Sequence, residues 1–445
     1  MPSPILDGRA VSTLVCTLAA FAAGHAISAA ETPANALDRA VAGLPPPTTP
    51  EPSRTTTPVG VRLIDVSLSI LAAAGGSSAD DQHLSGLLAG GHDPHRNGFT
   101  LQGAELSLAG VVDPYFQAEA HLVATEDGVE LEEAFAKTTA LPYRLEAKGG
   151  YQLIEFGRIN ASHPHSWAWL EQPVIASRLL GGDGTRSAGG RVAWLMPLPW
   201  FSQITVGAYN SNDPSAASFR GYVSEDDSTS VGGRPWQENE RGVRSLGDLV
   251  WSARWEAFLD WRTAGLRLGT SWMGGPNAAG GRSDVAGLDL HMKWNLTAGQ
   301  ALRWLAFTAE GLGRRARVGA AILNPGTAEE VTIDGARLRD LGGYGQILVG
   351  LRERWSAGVR GEFATATGDS VVRRDGIDGL DSPSADPLRD RRLRISPLIQ
   401  FHPSEFSRLR LQYDYDRAQF LPGGQAHSVW LGIEVLIGAH PAHGY

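Results

Sequence analysis

The sequence predicts an all-β protein, a transmembrane antiparallel β-barrel of about 16 strands with short periplasmic turns and long external loops. Three observations predict this fold class. The first is an alternation of apolar and polar side chains, clearest at 407–416, where Leu409, Leu411 and Tyr413 share one face and mostly charged side chains occupy the other. The second is a regular succession of short and long connections. The third is a set of aromatic residues beside the short connections.

Period-two alternation marks each predicted strand in turn. A strand that crosses a bilayer in a tilted barrel needs about 9–11 residues, and segments of roughly this length alternate along most of the chain. The predicted strands lie near residues 61–72, 98–111, 115–125, 129–140, 144–157, 188–196, 201–210, 247–260, 264–273, 285–295, 301–311, 341–352, 356–366, 391–402, 407–418 and 427–438.

The connections between these strands alternate strictly in length. Seven are short, at 112–114, 141–143, 197–200, 261–263, 297–299, 353–355 and 403–406. The intervening connections include long segments rich in Gly, Asp and Ser, at 73–97, 158–187, 211–246, 312–340 and 367–390. An even number of strands with short turns on one rim places both termini on that rim, as in barrels with periplasmic turns and external loops.

Aromatic residues support the same arrangement, because Trp and Tyr favour the boundary between membrane and water. In a soluble β-core, the alternative, they would instead be scattered through the middle of the strands. Those at or near the short turns are Tyr115, Tyr143, Trp200, Trp261, Trp294, Trp304, Trp355, Phe401 and Phe406. They predict a girdle on the periplasmic side.

The N-terminal segment predicts export to the bacterial outer membrane. Arg9 precedes an apolar run at 11–23 and small residues at 28–30, which is the pattern of a signal peptide spanning 1–30. A membrane anchor helix is the alternative, but the run is shorter than the roughly 20 residues that a spanning helix needs. Residues 31–58 are rich in Pro and Thr and predict a flexible periplasmic tail, and 59–445 form the predicted outer-membrane barrel.

Composition excludes several classes of protein. The one cysteine, Cys16, lies in the predicted signal peptide, so the mature chain has no disulfide and no thiolate metal site. After the predicted signal peptide, no stretch reaches 18 consecutive apolar residues, which excludes helical membrane spans. The net charge of −9 is spread along the chain without a basic block, so we expect no nucleic-acid partner. We also expect no cofactor.

A barrel of about 16 strands is too wide for its own side chains to fill, so it holds water unless a loop closes it. Glutamates gather on the early predicted strands and arginines on three strands near the C-terminus. This predicts either a field across the pore or a solvated wall of mixed charge. With the apolar faces in lipid, the predicted pore-lining residues are Glu119, His121, Arg254, Glu256, Asp289, Lys293, Arg360, Glu362, Arg392, Arg394, Arg408 and Arg410.

The loop predicted at 158–187 is the candidate constriction. It contains a Gly-rich turn at 181–184 and the charged residues Arg178, Asp183 and Arg186. We expect it to fold into the lumen and narrow the pore. Deletion of 163–182 should then raise the conductance.

Two short histidine motifs supply candidate metal ligands. Imidazole and carboxylate groups close together in sequence suit Zn²⁺ or a similar cation. The candidates are His92, Asp93, His95, His163 and His165, and both motifs are expected in external loops. The alternative is that these histidines, which lie beside Pro, shape turns or are exposed.

The sequence predicts that the protein is not an enzyme. A barrel hydrolase needs a nucleophile with a positioned histidine, and the chain shows neither a Gly-x-Ser-x-Gly elbow nor a Ser-His-Asp set. His121 is interpreted as a pore-lining polar group.

Several segments resemble a family of proteobacterial outer-membrane proteins, the zinc-regulated TonB-dependent outer-membrane receptors, and more loosely the phosphate-selective porin O and P group. The similarity extends from about residue 90 to the end of the chain. The segments that carry it are 90–94, 98–102, 113–116, 155–158, 163–167, 338–340, 354–355, 396–397 and 403–413. The resemblance implies an outer-membrane location and a transport role, with zinc acting through regulation of expression.

Together these observations predict a porin-like channel for passive passage of small hydrophilic solutes or ions through outer-membrane lipid. Two alternatives stay open: a substrate-specific receptor for zinc-related metal uptake, and a non-conducting accessory barrel. Analogy with porins suggests a homotrimer. A TonB-coupled receptor carries a globular plug ahead of a 22-stranded barrel, whereas the first strand here is predicted near Val61, which argues against TonB coupling.

Overall fold

A computed structural model describes residues 64–221, 242–296, 302–323, 326–328, 330–368 and 389–438. All of them belong to the compact unit Val61–Tyr445. The predicted signal peptide and Pro/Thr-rich tail lie outside the described residues, as do the short turn at 297–299 and parts of the long loops predicted at 211–246 and 367–390.

Sixteen strands form one closed antiparallel barrel in which sequence neighbours pair and β1 pairs with β18. This confirms the predicted fold class. The barrel strands are β1 Ile64–Ser77, β2 Gly98–Val111, β3 Phe116–Ala124, β4 Val129–Thr138, β5 Leu145–Leu153, β6 Arg186–Leu195, β7 Phe201–Asn210, β8 Leu249–Trp261, β9 Ala264–Pro276, β10 Arg282–Asn295, β11 Trp304–Val318, β14 Ala336–Arg352, β15 Trp355–Thr367, β16 Arg392–Ser404, β17 Ser407–Ala418 and β18 Gln425–Gly438.

The long connections contain further short elements. β12 Ala321–Leu323 and β13 Val331–Ile333 pair with each other between β11 and β14. Helix α1, Asp81–Leu87, lies in loop L1 (78–97), and helix α2, Val174–Leu180, lies in loop L3 (154–185). Of the helices in the described residues, none has the length and hydropathy of a helix that crosses a bilayer.

The two faces of the barrel wall differ as the alternation predicts. On β17, the side chain of Leu411 is 50 % exposed on the outside, whereas Arg410 and Asp416 on the inside are each 1 % exposed. Aromatic residues are exposed on the outside near the short turns, among them Tyr143, Trp200 and Trp261. An apolar band edged by aromatic residues is the surface that a transmembrane barrel presents to lipid.

β11 extends beyond its predicted end at 311 to Val318. In the last four residues of this extension the pattern of the faces is reversed: Arg315 and Arg317 are exposed, while Ala316 and Val318 are buried on the inside. The prediction assumed that apolar residues always face outward. It therefore missed a segment whose apolar side chains pack with Ala279, in the connection between β9 and β10, and with Leu338 of β14.

Apolar residues from L1 and L3 pack inside the barrel and form the core. One cluster joins α2 and the start of L3 to the wall, and it includes Phe156, Ile175, Leu179, Met273, Val285 and Leu312. A second joins α1 to β17 and β18, and it includes Leu84, Leu87, Leu170, Phe420 and Trp430. Burial of these side chains stabilises the inward positions of both loops.

Candidate functional site

The half of the barrel interior near the short turns contains a cavity of about 1380 Å³. Among its lining residues are Lys137, Glu146, Lys148, Arg191 and His402. Positive and negative side chains both line it, so its wall is polar and mixed in charge.

The predicted pore-lining residues all face inward, but they fall into two groups. Those that line the cavity are Glu119, His121, Arg254, Glu256, Lys293, Arg360 and Arg408. The others are buried by partners on the wall or by the loops: Asp289, Glu362, Arg392, Arg394 and Arg410. Asp289, for example, accepts a hydrogen bond from Arg254 at 2.8 Å.

L3 enters the lumen through a turn at Gly157, whose φ of +59° lies in the left-handed region. The N–H of Gly157 donates to Ser271 Oγ at 2.9 Å. A Cβ at position 157 would collide with the carboxylate of Glu310. That carboxylate accepts hydrogen bonds from the N–H groups of Arg158 and Ile159, at 3.1 and 3.3 Å. β9 and β11 therefore hold the first turn of the loop.

L3 then contacts the opposite part of the wall, on β16 and β17. The Trp169 Nε1–H donates to the Ser396 carbonyl at 2.9 Å, and Gln400 donates to the Ala168 carbonyl at 2.7 Å. Arg410 donates to the carbonyls of Trp167 and Trp169, at 3.3 and 3.2 Å. The hydrogen bonds from Gln400 and Arg410 satisfy buried backbone carbonyls of a loop that has no sheet partner there.

Glu171 of L3 has a fully buried carboxyl group in this region. It accepts hydrogen bonds from Arg360 and Gln412, and Arg394 lies 3.9 Å from it. The N–H of Val174, at the start of α2, donates to Glu362 at 2.7 Å. A buried carboxylate requires such partners, so Glu171 and Arg360 fix L3 against β15.

Glycines on the wall make room for apolar side chains of L3. A Cβ on Gly432 would collide with Leu170, and a Cβ on Gly342 would lie 2.8 Å from Ile175. Gly287 faces Phe156 in the same way, at 3.1 Å. The wall is thus shaped to hold the loop in this position.

L1 covers the interior from the long-loop end. Arg394 and Arg392 both donate to the Leu87 carbonyl at the end of α1. Asp93 accepts hydrogen bonds from the N–H groups of Gly90 and Gln172, each at 2.9 Å, and so links L1 to L3. Burial raises the pKa of Asp93 to about 7.

The charged residues predicted for the constriction belong to L3 and the start of β6, and they do not line the cavity. Arg178 pairs with Asp390, and Arg186 donates to Glu130 at 2.8 Å. Asp183 lies 3.7 Å from Nε2 of His92. These charges therefore lie in contacts between loops and wall.

His163 and His165 lie in L3, a connection at the long-loop end of the barrel, and L3 carries them into the lumen. There they meet His121 of β3 and the carboxylates of β2 and β4. His163 Nδ1 lies 2.9 Å from Glu132 and 3.5 Å from Glu105, and its Nε2 lies 3.1 Å from Glu133. We name His121, His163, His165, Glu105, Glu132 and Glu133 the His/Glu cluster.

The remaining predicted ligands are arranged differently. His92 is buried, and its Nδ1 lies 2.8 Å from the Gln102 carbonyl. His95 Nδ1 lies 3.1 Å from the backbone carbonyl of Asp93, whose carboxylate binds backbone N–H groups. The sequence motif His92–His95 therefore does not direct its side chains to one point.

The electrostatics of the His/Glu cluster favour positive charge. Burial by itself would lower the pKa of His163. The hydrogen bonds and negative charges of Glu132, Glu105 and Glu133 have a larger effect and hold that pKa well above its usual value. Lys137 contacts Glu119 at 2.6 Å, and Lys148 lies 3.6 Å from Glu133. The site is suited to a proton or a cation, and it faces the cavity.

Ser107 lies beside this cluster, and its Oγ is 3.0 Å from Nδ1 of His121. The same nitrogen lies 3.1 Å from Glu105, and Ser107 itself donates to Glu105. A catalytic triad divides the two imidazole nitrogens between the nucleophile and the acid, which is not the arrangement here.

Sequence reasoning did not identify Glu133, Glu171 or Glu310 as members of the site. Glu133 lies where the pairing of β3 with β4 shifts register, between His121 and Leu122, so simple alternation misplaces its face. Glu171 is in a loop without periodicity. The inward direction of Glu310 follows from the alternation of β11. Its role as the acceptor for the first N–H groups of L3 depends on the path of that loop.

Comparison with known proteins supports the fold. No family model matches the chain. An uncharacterized protein of Aquifex aeolicus (strain VF5) is 28 % identical over 409 residues, covering 86 % of this chain and 80 % of that protein. The outer membrane channel DcaP of Acinetobacter baumannii has a TM-score of 0.51 at 9 % identity, with 84 % of this chain and 96 % of that chain covered. The chain is a 16-stranded β-barrel of the bacterial outer membrane.

Proposed function

We propose that the protein is a porin-like channel that passes small hydrophilic solutes or ions passively across the outer membrane. The polar cavity of about 1380 Å³ inside a closed barrel is the observation that carries this proposal. Its mixed lining, with Arg254 and Lys293 as well as Glu119 and Glu256, suits polar solutes and favours neither sign of charge.

L3 and L1 form the barrier in this channel. Their apolar side chains and the buried arginine contacts fill the interior between the cavity and the long-loop end. Passage therefore requires displacement of L3 from its contacts with Arg360, Arg410 and Ser396. A channel of this kind should conduct in brief openings and not continuously.

Planar-bilayer recording tests this function. We expect the purified protein to give discrete conductance steps, and deletion of 163–182 to raise the single-channel conductance or the open time, because it removes the segment that crosses the lumen. The reversal potential in asymmetric salt measures the selectivity in the same experiment. A folded deletion variant with unchanged conductance would contradict the role of L3, and a folded protein without conductance would favour an accessory barrel.

A substrate-specific receptor for metal uptake is the second candidate. The His/Glu cluster favours it, because L3 brings imidazoles and carboxylates together beside the cavity. Reduced zinc uptake in a deletion strain, restored by the wild-type gene, would support this candidate over a general channel.

We further propose that the barrel has no enzymatic activity, and the arrangement of Ser107 and His121 supports this.

We also propose that the protein assembles as a homotrimer. The mass of the protein in detergent, measured by light scattering with correction for bound detergent, tests the assembly.

A further inference from the structure

We infer that the His/Glu cluster binds one divalent transition-metal cation, held by Glu105 of β2, His121 of β3 and His163 of L3. The site joins the inward loop to the wall. Its occupant would be a borderline cation of the Zn²⁺ or Co²⁺ type, because imidazole and carboxylate ligands suit such ions better than Mg²⁺ or Ca²⁺.

The spacing of the ligand atoms fits a tetrahedral site. With bonds of 2.0–2.1 Å, neighbouring ligand atoms of a tetrahedral ion lie roughly 3.3 Å apart. Glu105 Oε1 is 3.1 Å from His121 Nδ1 and 3.5 Å from His163 Nδ1. The ligand atoms of all three residues lie within 4.8 Å of one another. The site therefore needs only small shifts to enclose an ion.

The groups around the ligands are those that orient metal-bound histidines. Histidine ligands in proteins usually donate their second N–H to a carboxylate. If Nδ1 of His163 binds the ion, its Nε2–H faces Glu133 at 3.1 Å. Nε2 of His121 lies 3.9 Å from Glu119. Glu133 thus orients His163, whereas 3.9 Å is too long for a hydrogen bond and His121 is oriented by the contact of its Nδ1 with Glu105 at 3.1 Å.

A fourth ligand is available nearby. Glu132 Oε2 lies 2.9 Å from His163 Nδ1, and its carboxylate is buried. Water from the cavity is the other source, since His121, His163 and Glu133 all line it. The cavity also gives the ion a path to the site.

The charge of the cluster matches a dication. Glu105, Glu119, Glu130, Glu132 and Glu133 face three cations, Lys137, Lys148 and Arg186, which leaves an excess of two negative charges when the imidazoles are neutral. Buried charges need compensation. A bound dication supplies it, and a proton shared by His163 and the carboxylates is the competing occupant.

Titration of the metal-free, detergent-folded full-length protein with Co²⁺ tests the site, with visible absorption as the readout and Zn²⁺ as the competitor. We expect saturable binding of one equivalent with an absorption spectrum of nitrogen and oxygen ligands. His163→Gln and Glu105→Gln should each weaken it at least about tenfold, and Glu133→Gln about 10–100-fold through loss of orientation.

His291→Gln is the matched control, because His291 also lines the cavity but pairs with Thr308 on another part of the wall. Heat-modifiable migration on gels verifies that each barrel is folded. If His163→Gln does not fold, His121→Asn takes its place. No saturable binding, or wild-type affinity in the folded ligand variants, overturns the site. Binding does not require an open pore, so failure of this inference and failure of the channel function are distinguishable.

Discussion

Inward-facing arginines of this barrel bind loop backbone and buried acids more than they face water. Arg394 donates to both oxygens of Asp416, at 2.9 and 3.1 Å, and to the Leu87 carbonyl. Arg410 donates to two carbonyls of L3. Charges buried in this way stabilise a structure only while every partner is present. At the residue scale, the arginines position L1 and L3 within the barrel.

Arg360→Met should therefore release L3. The substitution leaves Glu171 buried without its main partner, and loss of one member of such a pair costs about 3–5 kcal/mol. We expect faster hydrogen exchange and faster proteolysis at 165–175, measured on the detergent-folded protein.

Arg303→Met is the matched control for Arg360→Met. Arg303 pairs with Glu353 at 3.3 Å on the surface, where an ion pair contributes about 0–1 kcal/mol. Its removal should leave exchange at 165–175 unchanged. Equal exchange in both variants would show that the Arg360–Glu171 pair does not hold the loop.

At the element scale, each strand separates two environments, and β10 shows this over its whole length. Leu288 and Trp294 are each 46 % exposed on the outside, whereas His291 and Lys293 line the cavity. Nearer the long loops, the inward side chain is the apolar Val285, which packs in the core with L3. The outer face of this strand thus contacts lipid along its length. Its inner face lines the water-filled cavity near the short turns and contacts packed L3 nearer the long loops.

Spin labels on single cysteines along β10 test this arrangement. Because the chain has no cysteine after Cys16, each label occupies one site. Labels at 288 and 292 should be more accessible to dissolved oxygen, which concentrates in lipid. Labels at 291 and 293 should be more accessible to a water-soluble nickel complex. Equal accessibility at odd and even positions would contradict the orientation of the strand.

At the scale of the whole molecule, the barrel could be predicted from sequence, whereas the contacts that hold L1 and L3 inside it could not. The side chains of strands such as β17 alternate with a period of two, and this alternation does not depend on the conformation of the loops. The position of L3 depends instead on contacts between residues far apart in the chain, such as Trp169 with Ser396. Helices α1 and α2 were not predicted, since each is only 7 residues long and is stabilised by packing within the barrel.

Strand periodicity gives the direction of some site residues but not the proximity of others. His121 and Glu119 follow the alternation of β3, so their inward direction was readable. The proximity of His163 to them depends on the turn at Gly157 and on the contacts of L3 with the opposite wall. Local sequence carries no signal for such a path.

The most direct test of the channel account is a reversible lock on L3. A Leu170→Cys, Gly432→Cys pair places two thiols where the loop meets β18, in a mature chain expected to have no other cysteine. In planar bilayers we predict that the oxidised protein stays closed and that reduction restores openings, while each single variant is insensitive to the reductant. Equal conductance of the oxidised and reduced forms, with the disulfide verified by mass spectrometry, would contradict the claim that solutes pass through the lumen by displacement of L3.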